Sequence, residues 1–372
     1  MKISFWDVIC VAIVCVILSL GLWPFHSPKN DVTWLGNRNG LRFGRFSTVV
    51  SSSAFQKTGS GGQASASVEV WLQPRRIWDS CTFLAFYTPG NPHQFSLRQF
   101  DGGLELQAET QNGPRNAKIA VLYVKDMFRK SGPEFLTITS GKHGTAVYAD
   151  GIPAKTAPEV WISPKELMGR LVVGDSPGQS DSWSGLLLGL AIYRQELTAT
   201  QVLRHYQTWT QEGRPEISED ERNLALYLMG ERTGSIVHDH AGSGVNLYIP
   251  GKYAVLEQIL LEPFWKEFSM SRSYWGAVVK NIVGFVPFGF CFYACLSAHR
   301  VRRAALAAVI LGTLVSLAIE ILQAYLPTRD SGMTDIFTNT LGTHIGVIAC
   351  RALSSTLAGR FPWLPFATPP RS

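Results

Sequence analysis

Apolar runs long enough to cross a lipid bilayer stand at both ends of this chain and are missing from its middle, and that placement constrains the fold more than any other feature. Residues 5–23 (FWDVICVAIVCVILSLGLW) are apolar except for Asp7. At about 1.5 Å per helical residue, such a run crosses a hydrocarbon core of about 30 Å. It ends in Leu22-Trp23-Pro24-Phe25 with no small-residue cleavage site behind it, which predicts an uncleaved anchor rather than a removed signal peptide. Three more candidates follow: Tyr274 to Leu296, Ala304 to Leu326, and Thr334 to Leu353. Only the middle one is strongly hydrophobic throughout. The first carries Lys280 and Asn281, and the last carries Asp335, Asn339 and His344. Lipid leaves backbone polar groups no partner but the chain itself, so four helical spans are expected.

Basic residues in short loops set the orientation. His299-Arg300-Val301-Arg302-Arg303 joins the second and third spans, Arg351, Arg360 and Arg371 lie at or beyond the end of the fourth, and Lys2 precedes the first. Those segments are expected in the cytoplasm. Residues 24 to 272 and the hairpin LPTRDSGMTD then lie outside a bacterial inner (cytoplasmic) membrane. The net charge of +6 comes largely from arginines beside the spans, and no basic run with interleaved aromatics occurs, so a nucleic-acid partner is not expected. Five of the six cysteines belong to the spans or their ends; Cys81 alone lies in the outer region, which therefore has no internal disulfide and must rely on its core.

The outer region reads as short alternating segments punctuated by Gly, Pro, Asn, Asp and Ser, the pattern of an all-β sandwich. ASVEVWLQP sets Val68, Val70 and Leu72 on one face and Glu69, Trp71 and Gln73 on the other. Asp101-Gly102-Gly103 marks one hairpin, and Gly141 to Gly144 another. Near the end, Thr198 is expected to cap a short helix docked through Val202, His205 and Tyr206.

The order VEVWLQP, VYADG, LVVGD and WSGLLLGLAIYRQELTATQVLRHY resembles the laminin G-like (LamG, concanavalin A-like) jelly-roll domain. A stretch similar to that family's opening strand, LALYLMGERTGSIVHDHAGSGVNLYIP, here follows the terminal helix and is expected to complete the sandwich from its C-terminal side. The resemblance implies glycan or protein ligands. It also implies a calcium alternative at a loop rim, with Asp150, Asp175 and Asp181 as candidate oxygens, although scattered acids in turn-rich segments are more often plain turn formers. Trp78, Trp183 and Trp209 are candidates to stack on sugar rings, Trp209 doubling as a core residue; Trp183 joins the three acids as the candidate ligand rim. No cofactor is otherwise expected.

The membrane part poses its own question, because polar groups in lipid are costly. A charge at the middle of a spanning helix costs about 2.5–3.5 kcal/mol on insertion scales. Glu320 and Gln323 share a face near the outer end of the third span, and Asp335 and Asn339 share one at the start of the fourth. A turn beginning at Pro327 should bring these faces together near the outer surface with Asn281, and Arg329 is expected to be the counter-charge to Glu320 or Asp335. Gly342 and Gly346 continue the Asn339 face and predict close helix packing, while Pro287 should kink the second span.

Asn281, Phe285, Pro287 and Gly289, followed by Glu320, Gln323, Pro327, Arg329, Asp335, Asn339, Gly342 and Gly346, resemble the marks of the VanZ-like membrane family. That family is associated with low-level resistance to the glycopeptide teicoplanin, so the resemblance implies a cell-envelope role. The architecture expected is multi-domain: an anchor helix (1–24), a LamG-like sandwich (25–250), an interfacial lead-in (251–273), a three-span VanZ-like domain (274–354) and a cytoplasmic tail (355–372). Function reads as a membrane-anchored binder of envelope glycan or protein in contact with lipid. The alternative is an enzyme acting on a lipid-linked or peptidoglycan precursor through Glu320, Arg329 and Asp335. Those same residues would also serve as a structural knot that fixes helix register. A third reading, a glycoside hydrolase, would need paired carboxylates from Glu69, Glu105 or Glu109. No nucleophile elbow, H-E-x-x-H set or phosphate loop is present.

Overall fold

The structure, a computed structural model, describes residues 5–360 except 57–64, 111–117, 131, 179–180, 220, 255, 258–259, 269 and 271. Lys2, Arg371 and most of the expected tail lie outside the described residues. The chain divides into two compact units, residues 27–257 and residues 1–26 with 258–372.

Unit 27–257 is a sandwich of two antiparallel sheets. Its strands, in chain order, are β1 (Val32–Trp34), β2 (Leu41–Phe43), β3 (Val49–Ser51), β4 (Ala66–Pro74), β5 (Cys81–Thr88), β6 (Asn91–Phe100), β7 (Gly103–Thr110), β8 (Lys118–Val124), β9 (Glu134–Gly141), β10 (Gly144–Ala149), β11 (Ile152–Ala157), β12 (Arg170–Val173), β13 (Gly185–Tyr193), β14 (Asn223–Tyr227), β15 (Ile236–Val237) and β16 (Leu247–Tyr248). One sheet runs β1-β2-β13-β4-β9-β10-β11 with β14 also on β13; the other runs β15-β16-β3-β12-β5-β6-β7-β8. The β6–β7 hairpin turns through Asp101 (φ 46°) and Gly102 (φ 76°), two left-handed residues whose twist suits a tight hairpin. The late stretch 224–250 does add strands to both sheets, β14 to the first and β15 and β16 to the second.

Between the sheets, Val68, Val70 and Leu72 meet Phe83, Phe86, Phe95, Leu104 and Leu106. A second core lies on the outer face of the first sheet, where α2 (Ala199–Glu212) docks through Val202, His205 and Trp209 against Phe135, Ala191 and Tyr193. Thr198 and Gln201 form a reciprocal capping box at its start, and Gly213 (φ 75°) ends it. Covered on both faces, β13 loses the alternation of a half-buried strand and becomes nearly continuous apolar sequence.

The other unit is a helical bundle of α1 (Phe5–Leu22), the single-turn α3 (Phe264–Glu267), α4 (Arg272–Ala298), α5 (Ala304–Gln323) and α6 (Met333–Arg360). Among the described residues three helices are long and apolar enough to cross a membrane: α1, Tyr274–Ala298 of α4, and α5. The fourth expected span forms as helix α6, long enough at 28 residues but diluted by Asp335, Asn339, His344 and several threonines. Phe285, Phe288 and Ile319 form the bundle's buried center, with Ile13, Val14, Ile17 and Leu18 of α1 packed against it.

Candidate functional site

The polar residues of the bundle gather around the turn between α5 and α6. Glu320, only 1% exposed, accepts the N–H of Gly332 at 2.8 Å through Oε2. Asp335 accepts from the Asn281 side chain, which α4 brings to the same place. Asn339 donates to Ser316 Oγ at 2.9 Å, one turn from Glu320 on α5. Its Oδ1, like Oε1 of Gln323, is buried with no hydrogen-bond partner.

A third carboxylate joins them from outside the helices. The segment before α4 pairs with the turn, Glu262 N–H donating to Ser331 O at 2.9 Å and Met333 N–H to Glu262 O at 2.9 Å. This pairing sets Glu267 over Gly332, where its Oε2 accepts both the N–H (2.9 Å) and the hydroxyl of Thr334. A Cβ on Gly332 would lie 1.5 Å from Glu267 Oε1, so only glycine admits the carboxylate. Glu267, Glu320 and Asp335 are close enough to repel one another. Nothing in the sequence tied Glu267 to this place, whereas Ser316 stands four residues before Glu320 and was legible as a face-mate.

Arg329 departs from expectation. Its guanidinium donates to the carbonyls of Leu20 (3.0 Å) and Trp23 (3.1 and 2.6 Å) at the end of α1, not to Glu320 or Asp335. The last carbonyls of a helix have no intrahelical donor, and a cation at that end also suits the helix dipole. Gln323 does the same for Gly21 O at 2.8 Å. Both side chains therefore tie α1 to the bundle, and the carboxylates are left without a cation from Arg329.

Glycine lets the helices meet. A Cβ at Gly289 would fall 1.9 Å from Thr343 O, at Gly342 2.2 Å from Ile282 O, and at Gly346 2.1 Å from Val286 O. Pro287 lies inside α4.

In the sandwich the candidate rim does not assemble. Asp150 sits in the β10–β11 turn, accepting the Phe135 N–H (3.0 Å) and pairing with Lys130 (2.8 Å). Asp175 and Asp181 are together elsewhere: Asp175 Oδ1 accepts the Asp181 N–H at 3.1 Å, and Asp181 pairs with Arg98 at 3.1 Å and accepts from Thr82 at 2.8 Å. Burial holds the Asp175 carboxyl above its ordinary range. Trp183 is 1% exposed, its Nε1 donating to Gln99 Oε1 at 3.1 Å, so it is a core residue and not a stacking platform; Trp209 is core too. Trp78 remains 63% exposed. Glu69 is wholly buried, and Glu105 and Glu109 lie four positions apart on one strand, about 13 Å at 3.3 Å per residue, beyond the roughly 5–9.5 Å of glycosidase pairs.

A concave surface does occur on the second sheet. A cleft of about 390 Å³ opens beside β3, β12, β15 and β16. The half-exposed side chains of Tyr248 and Ile236 line it together with exposed Arg170 and Ser52 and the partly buried Asn246.

The family VanZ/LLP1 matches residues 225–354, and the family described as the concanavalin A-like lectin/glucanases superfamily (Laminin_G_3) matches residues 47–203. Among solved structures, a heptameric SAP-like pentraxin from Limulus polyphemus is 17% identical over 48% of this chain and 79% of its own, with a TM-score of 0.33. The CBM40 domain of the Ruminococcus gnavus IT-sialidase, solved with α2,3-sialyllactose, is 13% identical over 45% of this chain and 95% of its own, with a TM-score of 0.33. At such scores neither bears on ligand or mechanism. No curated protein matches the chain. One chain thus joins a concanavalin A-like, laminin G-type domain to a VanZ-like C-terminal segment.

Proposed function

We propose that this chain is a membrane-anchored cell-envelope protein that holds its sandwich on the outer side of the cytoplasmic membrane and binds glycan there. The cleft beside β12 and β16 carries this reading. A half-exposed Tyr248 ring offers an apolar face to the C–H groups of a sugar, while Arg170, Ser52 and Asn246 surround it with hydrogen-bonding groups that would fix hydroxyls. The concanavalin A-like family match supports it. The binding calls for no cofactor. The outward orientation is supported by the basic loop 299–303, which the positive-inside tendency assigns to the cytoplasm.

Full-length protein in lipid nanodiscs, presented to immobilised polysaccharides and peptidoglycan fragments, tests the reading. Binding to at least one glycan is expected, and Tyr248→Ala and Arg170→Gln should each weaken it about tenfold, equivalent to about 1.4 kcal/mol. Flat responses across the panel, or binding that both variants leave intact, would remove the glycan role.

A second reading is favoured by the convergence of Glu267, Glu320 and Asp335 with two unpartnered buried amide oxygens. Such an acceptor-rich cluster suits the hydroxyl or amine donors of a lipid-linked or peptidoglycan precursor, with one carboxylate serving as base. If Glu320→Gln and Asp335→Asn proteins, made at normal levels, restore every envelope phenotype of a deletion strain, catalysis by this cluster is untenable.

A further inference from the structure

The other end of the bundle carries a set of side chains that none of the foregoing uses. Asp7 and Cys10 are three residues apart on one face of α1, and His299, one residue past the end of α4, donates its backbone N–H to Cys295 O at 3.0 Å and so continues the Cys295 face. Asp7 Oδ1 lies 2.9 Å from His299 Nε2 and 3.3 Å from Cys295 Sγ, and these three donor groups fall within 4.8 Å of one another. The thiol of Cys10 is hydrogen-bonded to that of Cys295, and Cys291 borders them one turn earlier on α4.

Carboxylate, imidazole and two thiols are the donors of tetrahedral zinc sites. Bonds of about 2.0–2.3 Å in that geometry put donor atoms about 3.3–3.8 Å apart. Asp7 Oδ1 stands 2.9 Å from His299 Nε2 and 3.3 Å from Cys295 Sγ, just inside or at the edge of that range, and the three donors are near enough together to close on one ion. Cys10 and Cys295 are 5% and 9% exposed, which suits a closed coordination shell, while the half-exposed His299 provides a route in. Charge also fits. With two thiolates, one carboxylate and a neutral imidazole, a divalent ion leaves a net −1, and Arg300, Arg302 and Arg303 follow His299 directly.

We propose that Asp7, Cys10, Cys295 and His299 bind a zinc-type divalent metal ion that clamps α1 to α4. Binding releases two protons, one from each thiol, and the His299 proton resides on Nδ1 so that Nε2 is free to coordinate. Occupancy therefore weakens as pH falls. The inference does not depend on what the sandwich binds or on the carboxylate cluster near Glu320.

The test uses the full chain in nanodiscs, loaded with Co²⁺ as a spectroscopic stand-in for Zn²⁺. One Co²⁺ per chain is expected, with tetrahedral d–d bands and a thiolate-to-metal charge-transfer band, all abolished by added Zn²⁺. Cys10→Ser and Cys295→Ser should each weaken binding by more than the ~10–100-fold that loss of an outer-shell partner costs. Cys15→Ser and Cys350→Ser should change nothing. A wild-type chain that takes up neither ion, a cobalt spectrum without the thiolate band, or mass spectrometry showing Cys10 and Cys295 joined in a disulfide would overturn the proposal.

Discussion

His205 shows how a residue that packs like a core group can carry the charge balance of its domain. It is fully buried, with Nδ1 3.0 Å from Glu69 Oε1 and Nε2 2.9 Å from Glu221 Oε2. Tyr193 donates to the other oxygen of Glu69 at 2.8 Å, and Arg204 pairs with Glu221. Burial alone would lower the imidazole pKa, but hydrogen bonds and charge from Glu69 and Glu221 outweigh it and raise it. A histidine raised in the fold stabilises fully below its unfolded value of about 6.5, and that contribution is lost as pH climbs through the folded value. Glu134 acts in the same direction. Burial first, then the charge of Asp150, pushes its carboxyl up to about 7, so the fold favours the protonated form and loses that preference between about pH 4.3 and 7. The melting temperature of the sandwich should thus fall between pH 6 and pH 9 in circular-dichroism melts of the full chain; a rise would contradict both assignments. His205→Ala, which removes the partner shared by two buried carboxylates, should cost about 3–5 kcal/mol, whereas Glu134→Gln should stabilise at pH 8 by about 2–3 kcal/mol. The docking role of His205 was legible from helical spacing. Its partners were not, because strand alternation assigns Glu69 to an outward face, and only the docking of α2 turns that face into an interior.

At the scale of elements, α6 depends on close approach to α4 more than on its own apolarity. Gly342 and Gly346 abut backbone carbonyls of α4, which cannot yield as a flexible side chain would. Gly346→Ala should therefore separate the helices and lower the melting temperature of the detergent-solubilised chain by several degrees, consistent with the roughly 1–3 kcal/mol cost of overpacking. Gly284→Ala, where a Cβ meets nothing within 4 Å, is the control and should leave it unchanged. Spacing alone made this face readable: residues 339, 342 and 346 recur at helical intervals on a segment too polar to face lipid all round. The role of Arg329 was not readable in the same way. Asp330 follows it directly, and only the bundle's packing presents it with the open carbonyls of α1, a partner some three hundred residues earlier. Glu267 was hidden for a similar reason, since a single turn of helix carries no periodicity to assign it a face.

Across the whole molecule, the bundle's own contacts fix the direction of every helix. Asp7, at the start of α1, meets His299 beside the basic loop, while Gly21 and Trp23, at its end, meet Gln323 and Arg329 beside the α5–α6 turn. Helices α1, α4, α5 and α6 therefore alternate in direction. The chain leaves α1 at Trp23 and returns through Glu262, which pairs with the same turn, so both connections emerge at the bundle end opposite Arg300, Arg302 and Arg303. If that basic end is cytoplasmic, residues 27–257 must be exoplasmic, and the two assignments stand or fall together. Lys142→Cys, exposed in the β9–β10 turn, and Val301→Cys, exposed in the basic loop, separate the outcomes. A membrane-impermeant maleimide applied to intact spheroplasts should modify Lys142→Cys and spare Val301→Cys until the membrane is opened, with the parent chain as the background for its native cysteines. The reverse pattern would put the sandwich in the cytoplasm, away from any envelope glycan, and would remove the proposed role together with the orientation.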